Sequence, residues 1–472
     1  VVASTVIRTG RAERDFSGIR AEFGLPQEFP AAALAEAEQV VSGGVPLGDR
    51  EDATSLPLVT IDPPGAKDLD QALLVERRGD GFRVHYAIAD LGVFVVPGGA
   101  LDAEVRRRGQ TLYLPDGNVP LHPTVLSEGA ASLLPDQTVP AVLWTVDCDA
   151  DGEPRDVRVR RAVVRSTARF DYETVRAALA ADRLHPSLVA LPDFGRLRRG
   201  LALDRGAVEL QLPEQEVEPT GDGGWRLALR PRNEVEAWNA EVSLLTGMCA
   251  ARVMLDARIG VLRTLPDPDS DAIDGLRRTA AALGSPWPQD AGPARFLAGL
   301  DPVRPESLAL FVDATRLLRG AGYTAFDGAP PEIASHAGLG APYAHVTAPL
   351  RRLVDRFATE VCLAVTAGEE VPDWLRGALP ELPSLMGTSD SLASKVDRAC
   401  LDQVEAWVLA DRVGQEFDAV VLRADASAAD VFVVDPPVMG RCAGEDLPEG
   451  EQIRARLTLA DPEARKVSFE RV

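Results

Sequence analysis

The sequence predicts a mixed α/β protein, with a sheet core surrounded by helices and a small closed β-barrel after it. Three observations lead there. Alternating apolar residues typical of strands run from Ser55 through PLVTID, ALLVE, FRVHYAIAD and PAVLWTVDCDADG. After Tyr172 the spacing becomes mainly helical. Near the C-terminus it returns to strands in EFDAVVLR, ADVFVVD and IRARLTLA, with turn residues between them. The 472 residues allow about three units. They divide as a partly helical lead-in over 1–50, the α/β domain over 51–405 and the barrel over 410–472.

Each element has its own signal. In the lead-in, PAAALAEAEQV reads as a helix stopped by Gly43 and Gly44. In the sheet region Phe82, Val84 and Tyr86 alternate, which marks one buried face. EVEAWNAEVSLLTGMCAARVML places Val235, Trp238, Val242, Leu245, Cys249 and Val253 in one helical stripe. Glu241 sits at the edge of that stripe, where a half-solvated surface role competes with a role in a site. SDAIDGLRRTAAALG reads as a helix with Ser270 as cap, Ile273, Leu276, Ala280 and Leu283 on one face, and Gly284 as stop. A polar helix around Lys395 to Val413 leads into the barrel.

Composition bounds the function. Hydrophobic residues make up 46% and charged residues 26%, ordinary for a chain with large cores, so disordered and fibrous classes are excluded. No stretch approaches the roughly 20 apolar residues of a membrane span, and VVASTVIRTGRAERDF lacks the apolar core of a signal peptide. The expectation is a cytoplasmic protein with no membrane partner. Cys148, Cys249, Cys362, Cys400 and Cys442 are far apart with no C-x-x-C pair, so they read as reduced core residues. A net charge of −22 excludes a protein that coats a polyanion over its whole surface, so any nucleic-acid site must be local.

The segment TIDPPGAKDLDQAL carries the densest chemistry. A strand runs into Asp62, then a Pro-Pro-Gly turn, then Asp68 and Asp70, which point the same way in an extended piece. A hard divalent ion such as Mg²⁺ takes oxygen ligands, usually one or two carboxylates with waters and substrate phosphates. Aspartates also favour solvated turns, and spacing alone leaves both readings open. In YAHVTAPLRRLVD, Pro349 suits the first turn of a helix whose apolar face is Leu350, Leu353, Val354, Phe357 and Val361. Arg351 and Arg352 then fall in the first turn, where cations oppose the helix dipole at a cost of up to about 1 kcal/mol. A bound phosphate would offset that cost; two solvated arginines are the alternative.

These segments resemble the ribonuclease II family, whose RNB domain carries aspartates in the order D, five residues, D, one residue, D, D. Asp62, Asp68 and Asp70 match the first three, and Gln71 stands at the fourth place. HYAIADLGVFV, RRRGQTLYLPDGNVPLHPTVLSEGAASLLP, MCAARVML and HAGLGAPYAHVTAPLRRLVD follow in family order, from about Arg50 to Val413. Departures are Ala348, Leu353, Thr359 and Glu360 in the arginine motif, Gly247 for an asparagine, and no evident third aromatic near Leu210.

The resemblance implies a Mg²⁺-dependent, hydrolytic, processive 3′-to-5′ exoribonuclease, with Mn²⁺ as a substitute ion, acting on single-stranded RNA to release 5′-mononucleotides. It implies Asp62, Asp68, Asp70 and Gln71 at the metal, and Asp70, Arg351 and Glu241 in catalysis. Tyr113 and Tyr172 would clamp bases, and Arg352 would contact RNA. It further implies that the barrel is an OB-fold RNA-binding domain, that the chain is a monomer, and that the N-terminal end is reduced relative to the family. In the barrel, 13 acids face 8 bases from Asp411 to Val472, so its grip on RNA is expected on one face at most. The competing reading is a catalytically weakened RNB-fold RNA-binding protein.

Overall fold

The computed structural model describes residues 14–472 apart from 45–47, 213, 222, 231–232 and 426. The expected lead-in therefore lies partly outside the described residues. Its PAAALAEAEQV segment forms the helix Ala31–Ser42, ending at Gly43, with Gly44 at φ 75°.

The centre is a six-stranded sheet in the order Glu51–Asp52, Pro154–Phe170, Leu58–Ile61, Gln71–Arg78, Gly81–Ala89, Thr138–Cys148. Thr138–Cys148 also pairs with Pro154–Phe170, so the sheet curls back on itself. Both faces are buried. Leu73, Val75, Val84, Tyr86, Ile88 and Trp144 point into the main core, together with Val235, Trp238, Leu245, Leu353, Phe357 and Val361 of two helices, Glu234–Ala257 and Leu353–Ala367. Ala72, Leu74, Ala87, Leu143 and Val164 point the other way into a second core. The period-2 alternation of each strand separates the two.

Three details correct the sequence reading. Pro154–Phe170, at 17 residues, is a single strand that the arginine-rich RDVRVRRAVVRSTARF did not announce. The helix Ser270–Ala282 is capped by Asp269, whose side chain accepts from the Ala272 N–H, so Ser270 is its first residue rather than its cap. The polar helix before the barrel starts well ahead of Lys395 and runs from Leu382 to Leu409. Two antiparallel strand pairs, the hairpin Glu214–Pro219 with Trp225–Arg230 and the long-range pair Ile259–Thr264 with Gly322–Asp327, also interrupt the helical region.

The C-terminal strands close a five-stranded barrel, as expected. Its core residues Phe417, Val421, Val431, Ile453, Leu457 and Phe469 merge with Val396, Val404 and Leu409 of the Leu382–Leu409 helix and with Phe16 and Ile19. The five cysteines are free and buried. Among the described residues no helix is long and apolar enough to cross a membrane.

At the seam between this helix and the barrel, the buried Glu405 carboxylate accepts from Met439 N–H (3.0 Å) and Gln215 Nε2 (3.3 Å). Burial pushes its pKa up to about 7. A raised folded-state carboxyl pKa favours the protonated form, so the contribution of Glu405 to stability is fullest below about pH 4 and falls as pH rises towards 7, by about 3 kcal/mol. Glu405→Gln should remove this loss and raise the thermal midpoint at pH 8 but not at pH 4. A variant that is no more stable than its parent at pH 8 would place the seam carboxylate outside this titration.

Candidate active site

Three aspartates are delivered to one place by the same short path. The Leu58–Ile61 strand ends at Asp62, whose N–H donates to Phe170 O (3.0 Å). The chain returns through Asp68, Leu69 and Asp70 into Gln71–Arg78. Leu69 is anchored in the second core, its N–H donating to Ser132 Oγ (2.9 Å) while Ser132 Oγ donates to Lys67 O (2.6 Å). With Leu69 fixed inwards, Asp68 and Asp70 share the opposite side, as the i, i+2 spacing predicts.

Asp70 is 3% exposed. Its Oδ1 accepts from Leu350 N–H (2.7 Å), and its Oδ2 lies 3.5 Å from Arg351 Nε. Burial dominates and pushes its pKa up to about 8, against the opposing pull of Arg351. Burial likewise lifts Asp62 to about 6, again opposed by Arg351, and its Oδ2 is buried without a hydrogen-bond partner. Tyr113 OH is 3.3 Å from Asp68 Oδ2, and the Tyr113 side chain is 53% exposed, on a small hairpin of Leu112–Leu114 with Gly117–Val119.

Beside these residues lies a cavity of about 1040 Å³, lined by Asp62, Gln71, Tyr172, Asn239, Ser243 and Arg351 among others. Tyr172 opens the helix Tyr172–Ala180 on its rim. Asn239 and Ser243 project from the Glu234–Ala257 helix, and Ser243 Oγ meets Thr347 Oγ1 at 2.8 Å. Sequence reasoning missed this pair. The signal was present, since Glu236, Asn239 and Ser243 recur one or two turns apart on one face.

The arginine motif differs from the expected helix start. The helix begins at Leu353, and Arg352 is its N-cap in extended conformation (φ −135°, ψ 127°). Arg351 and Arg352 therefore precede the first turn. The cause is a backbone clamp: Thr111 N–H donates to Arg351 O (3.0 Å) and Leu353 N–H donates to Gly109 O (2.9 Å). The His122 Nδ1–H donates to Leu350 O (3.1 Å), and burial holds this imidazole neutral by lowering its pKa to about 4. Arg351 is thus presented to Asp70 by a segment whose carbonyl and N–H groups are tied on both sides.

Three expected roles are corrected. Arg352 is engaged within the protein: its Nε and Nη2 form a fork onto Asp355 (2.9 Å each), a carboxylate with no exposed surface. Glu241 does not face the aspartates. It lines a different cavity of about 440 Å³ with Arg199 and Arg205, its Oε2 has no hydrogen-bond partner, and burial raises its pKa against Arg198 and Arg205. Two residues separate it from Asn239, which turns it about 200° round the helix.

Gln71, the third, has both ends of its amide engaged. Nε2 donates to Thr347 O (2.6 Å), and Oε1 accepts from Tyr86 OH (2.8 Å). Its side chain ties the sheet to the arginine segment rather than reaching out as a ligand. Gln71→Asp should therefore weaken the site, because a carboxylate has no N–H for Thr347 O. We expect a loss of about 1–3 kcal/mol in thermal unfolding with EDTA and no gain in Mg²⁺ affinity by calorimetric titration. Tighter Mg²⁺ binding at unchanged stability would return residue 71 to the coordination shell.

The donors present fit a hard cation. They are all oxygens, and burial outweighs the pull of Arg351 and holds two of the carboxyls well above their ordinary range. Among the described residues, however, no three His, Cys, Asp or Glu side chains form a ready-made metal cage. An ion here would rest on one or two of Asp62, Asp68 and Asp70, with water and substrate oxygens completing its shell.

Comparisons with known proteins agree with this arrangement. The RNB domain matches residues 50–365, and the RNase II-type exonuclease C-terminal S1 domain matches residues 415–472. Ribonuclease R of Escherichia coli (strain K12) is 27% identical over 495 residues, covering 94% of this chain and 58% of the relative. The exosome complex exonuclease RRP44 homolog A of Arabidopsis thaliana is 29% identical over 363 residues, 73% of this chain and 38% of the relative. The chain thus spans less than two thirds of the length of either of these curated relatives. Apo Mycoplasma genitalium RNase R superposes with a TM-score of 0.87 at 20% identity, covering 97% of this chain and 77% of that one. Yeast Ssd1, a pseudonuclease, superposes at 0.69 with 16% identity, covering 93% of this chain and 53% of that one. With its RNB domain, its terminal S1 barrel and its aspartates in the family order, the chain belongs to the RNB-domain ribonuclease family.

Proposed function

We propose that this chain is a hydrolytic 3′-to-5′ exoribonuclease that removes 5′-mononucleotides processively from single-stranded RNA, with Mg²⁺ as its ion. The observation that carries the reading is the buried Asp70 carboxylate, held by the Leu350 N–H and opposed by Arg351 beside a large cavity. Asp62, Asp68 and Asp70 would hold Mg²⁺, which when bound supplies Lewis-acid charge and lowers the pKa of water. Asp70 orients the attacking water and accepts its proton at a carboxylate oxygen. Arg351 meets the charge that grows on the scissile phosphate. Tyr113 and Tyr172 offer ring faces on which bases stack without regard to sequence.

A second reading has one observation behind it. The fourth acidic position is the neutral Gln71, whose amide is already bonded at both ends, which favours an RNA-binding protein without turnover. Incubation of the full chain with 5′-labelled RNA, its 3′ end free or blocked, with Mg²⁺ and with EDTA, separates the two. Stepwise shortening of free-ended RNA with Mg²⁺ alone supports the exonuclease. Intact RNA that is nevertheless bound supports the second reading.

A further inference from the structure

Most arginines of this acidic protein are paired with carboxylates. At one place several are not. The helix Pro305–Ala314 packs through Leu308 and Val312 onto Val420, Leu422 and Phe432 of the barrel strand pair Glu416–Ala424 and Ala428–Val433. Arg316 follows this helix directly, and Arg423 follows Leu422 on the barrel side. A methyl group on Gly275 of the neighbouring helix Ser270–Ala282 would lie 3.2 Å from Arg316 Nη1 and 3.8 Å from Arg278 Nη2, so both guanidiniums hang over one turn. Arg278 and Arg319 are exposed. Arg423 keeps a buried Nε with no hydrogen-bond partner. Burial first, then Arg423, Arg319 and Arg278, depress the Arg316 pKa, which places all four guanidiniums in one field.

The nearby carboxylates are largely engaged, and Asp430, in register with Arg423, pairs with Arg441. Arg316 is held by Asp313, which also accepts from Thr279 Oγ1 (3.2 Å). Glu449 faces the group, and its Oε1 accepts from Ala424 N–H (3.1 Å). Asp274 stands one turn before Arg278 without pairing to it. Among the described residues, Arg278, Arg319 and Arg423 form no ion pair. Like charges gathered without partners destabilise a fold unless an anion joins them. A flexible chain of phosphates matches several separated guanidiniums better than one compact ion does.

We propose that Arg278, Arg316, Arg319 and Arg423 form a docking surface for the phosphodiester backbone of single-stranded RNA, at the seam between the helices Ser270–Ala282 and Pro305–Ala314 and the barrel. Among the described residues no exposed aromatic ring accompanies them, so contact is with phosphates and independent of sequence. The surface serves the substrate proposed above and rests on that reading. It lies apart from the aspartate cavity, none of whose lining residues it shares, so long RNA engages both sites and a trinucleotide engages the cavity alone.

The test is binding by the full chain in EDTA, which needs no hydrolysis, using oligo(U) of about 30 nucleotides and a trinucleotide, each across a salt series. Single-stranded RNA gives a slope of about −0.7 in log K against log salt per neutralised phosphate. The variant R278S/R319S/R423S should therefore flatten the long-RNA slope by about 2 and weaken affinity by roughly 10- to 100-fold at low salt. Trinucleotide affinity should stay unchanged, and the thermal midpoint without RNA should not fall. R278K/R319K/R423K, which keeps the charge, should restore most of the slope. An unchanged slope overturns the proposal, as does an equal loss for the trinucleotide. Loss of inorganic tripolyphosphate binding with long RNA unaffected would also overturn it, by assigning the surface to small polyanions. If the parent binds no RNA at all, both this surface and the proposed function fall; RNA bound but never shortened leaves the surface standing and removes the exonuclease.

Discussion

Asp70→Asn should lower RNA turnover by about 10²- to 10⁴-fold and leave the fold and RNA binding in place. Asparagine has the same shape, and its Oδ1 still accepts from Leu350 N–H, the 2.7 Å bond that fixes this side chain. What it loses is the charge opposite Arg351 and the capacity to take a proton. Stability should move the other way. Burial lifts the Asp70 pKa to about 8, so the folded state favours the protonated carboxyl, and the ionised form costs stability as pH rises above the unfolded value near 4 towards 8. In EDTA at pH 8 the asparagine variant should therefore melt at or above the parent temperature, with the difference vanishing near pH 4. The measurements are single-turnover decay of labelled RNA, RNA affinity in EDTA, and thermal unfolding at the two pH values. A lower melting point with parallel loss of affinity would make Asp70 a structural residue.

The aspartates were legible because their geometry is local. One extended piece carries Asp68 and Asp70, Leu69 between them fills the core, and the i, i+2 rule fixes the side they share. The tyrosines were legible only through resemblance, since nothing in the spacing of Tyr113 and Tyr172 shows that two distant segments flank the same aspartates. Glu241 failed for a physical reason. A carboxylate at the edge of an apolar stripe has two flanks available, and the choice was made by Arg198 and Arg205, which lie more than 30 residues earlier. The helix start failed similarly. Pro349 fits a first turn, and Arg351 and Arg352 do donate to Ala348 O, yet Gly109 and Thr111 bond the backbone at residues 351 and 353 and Arg352 between them is extended, so the helix starts only at Leu353. Gln71 shows the limit most clearly. Its place in the motif suggests a ligand, whereas its amide is bonded at both ends to groups on Tyr86 and Thr347, and no local pattern announces a partner 276 positions away.

The two adjacent arginines should separate in opposite directions. Arg351→Ala should reduce turnover by about 10²- to 10³-fold, the usual loss when a positioned donor to developing charge is removed. Arg351→Lys should remain clearly impaired, because the charge survives but the planar fork does not. Neither change should lower the melting temperature much, since among the described residues the Arg351 side chain makes a single long ion pair, 3.5 Å to Asp70. Arg352 lies on the other side of the same peptide and has a different task. Its fork onto Asp355 neutralises a fully buried carboxylate whose Oδ1 also accepts from Ala348 N–H at 2.7 Å, the bond that shapes the turn carrying Arg351. Arg352→Ala leaves that carboxylate without its cation and should cost about 3–5 kcal/mol of stability. Lost turnover should then follow unfolding, and activity should recover at lower temperature, whereas Arg351→Ala should stay inactive at every temperature where it is folded. Thermal unfolding in EDTA and turnover at two temperatures decide the matter. Equal melting points for the two alanine variants would show that Asp355 does not depend on Arg352. Equal residual rates in fully folded protein would mean that both arginines act on the phosphate as one cationic pair.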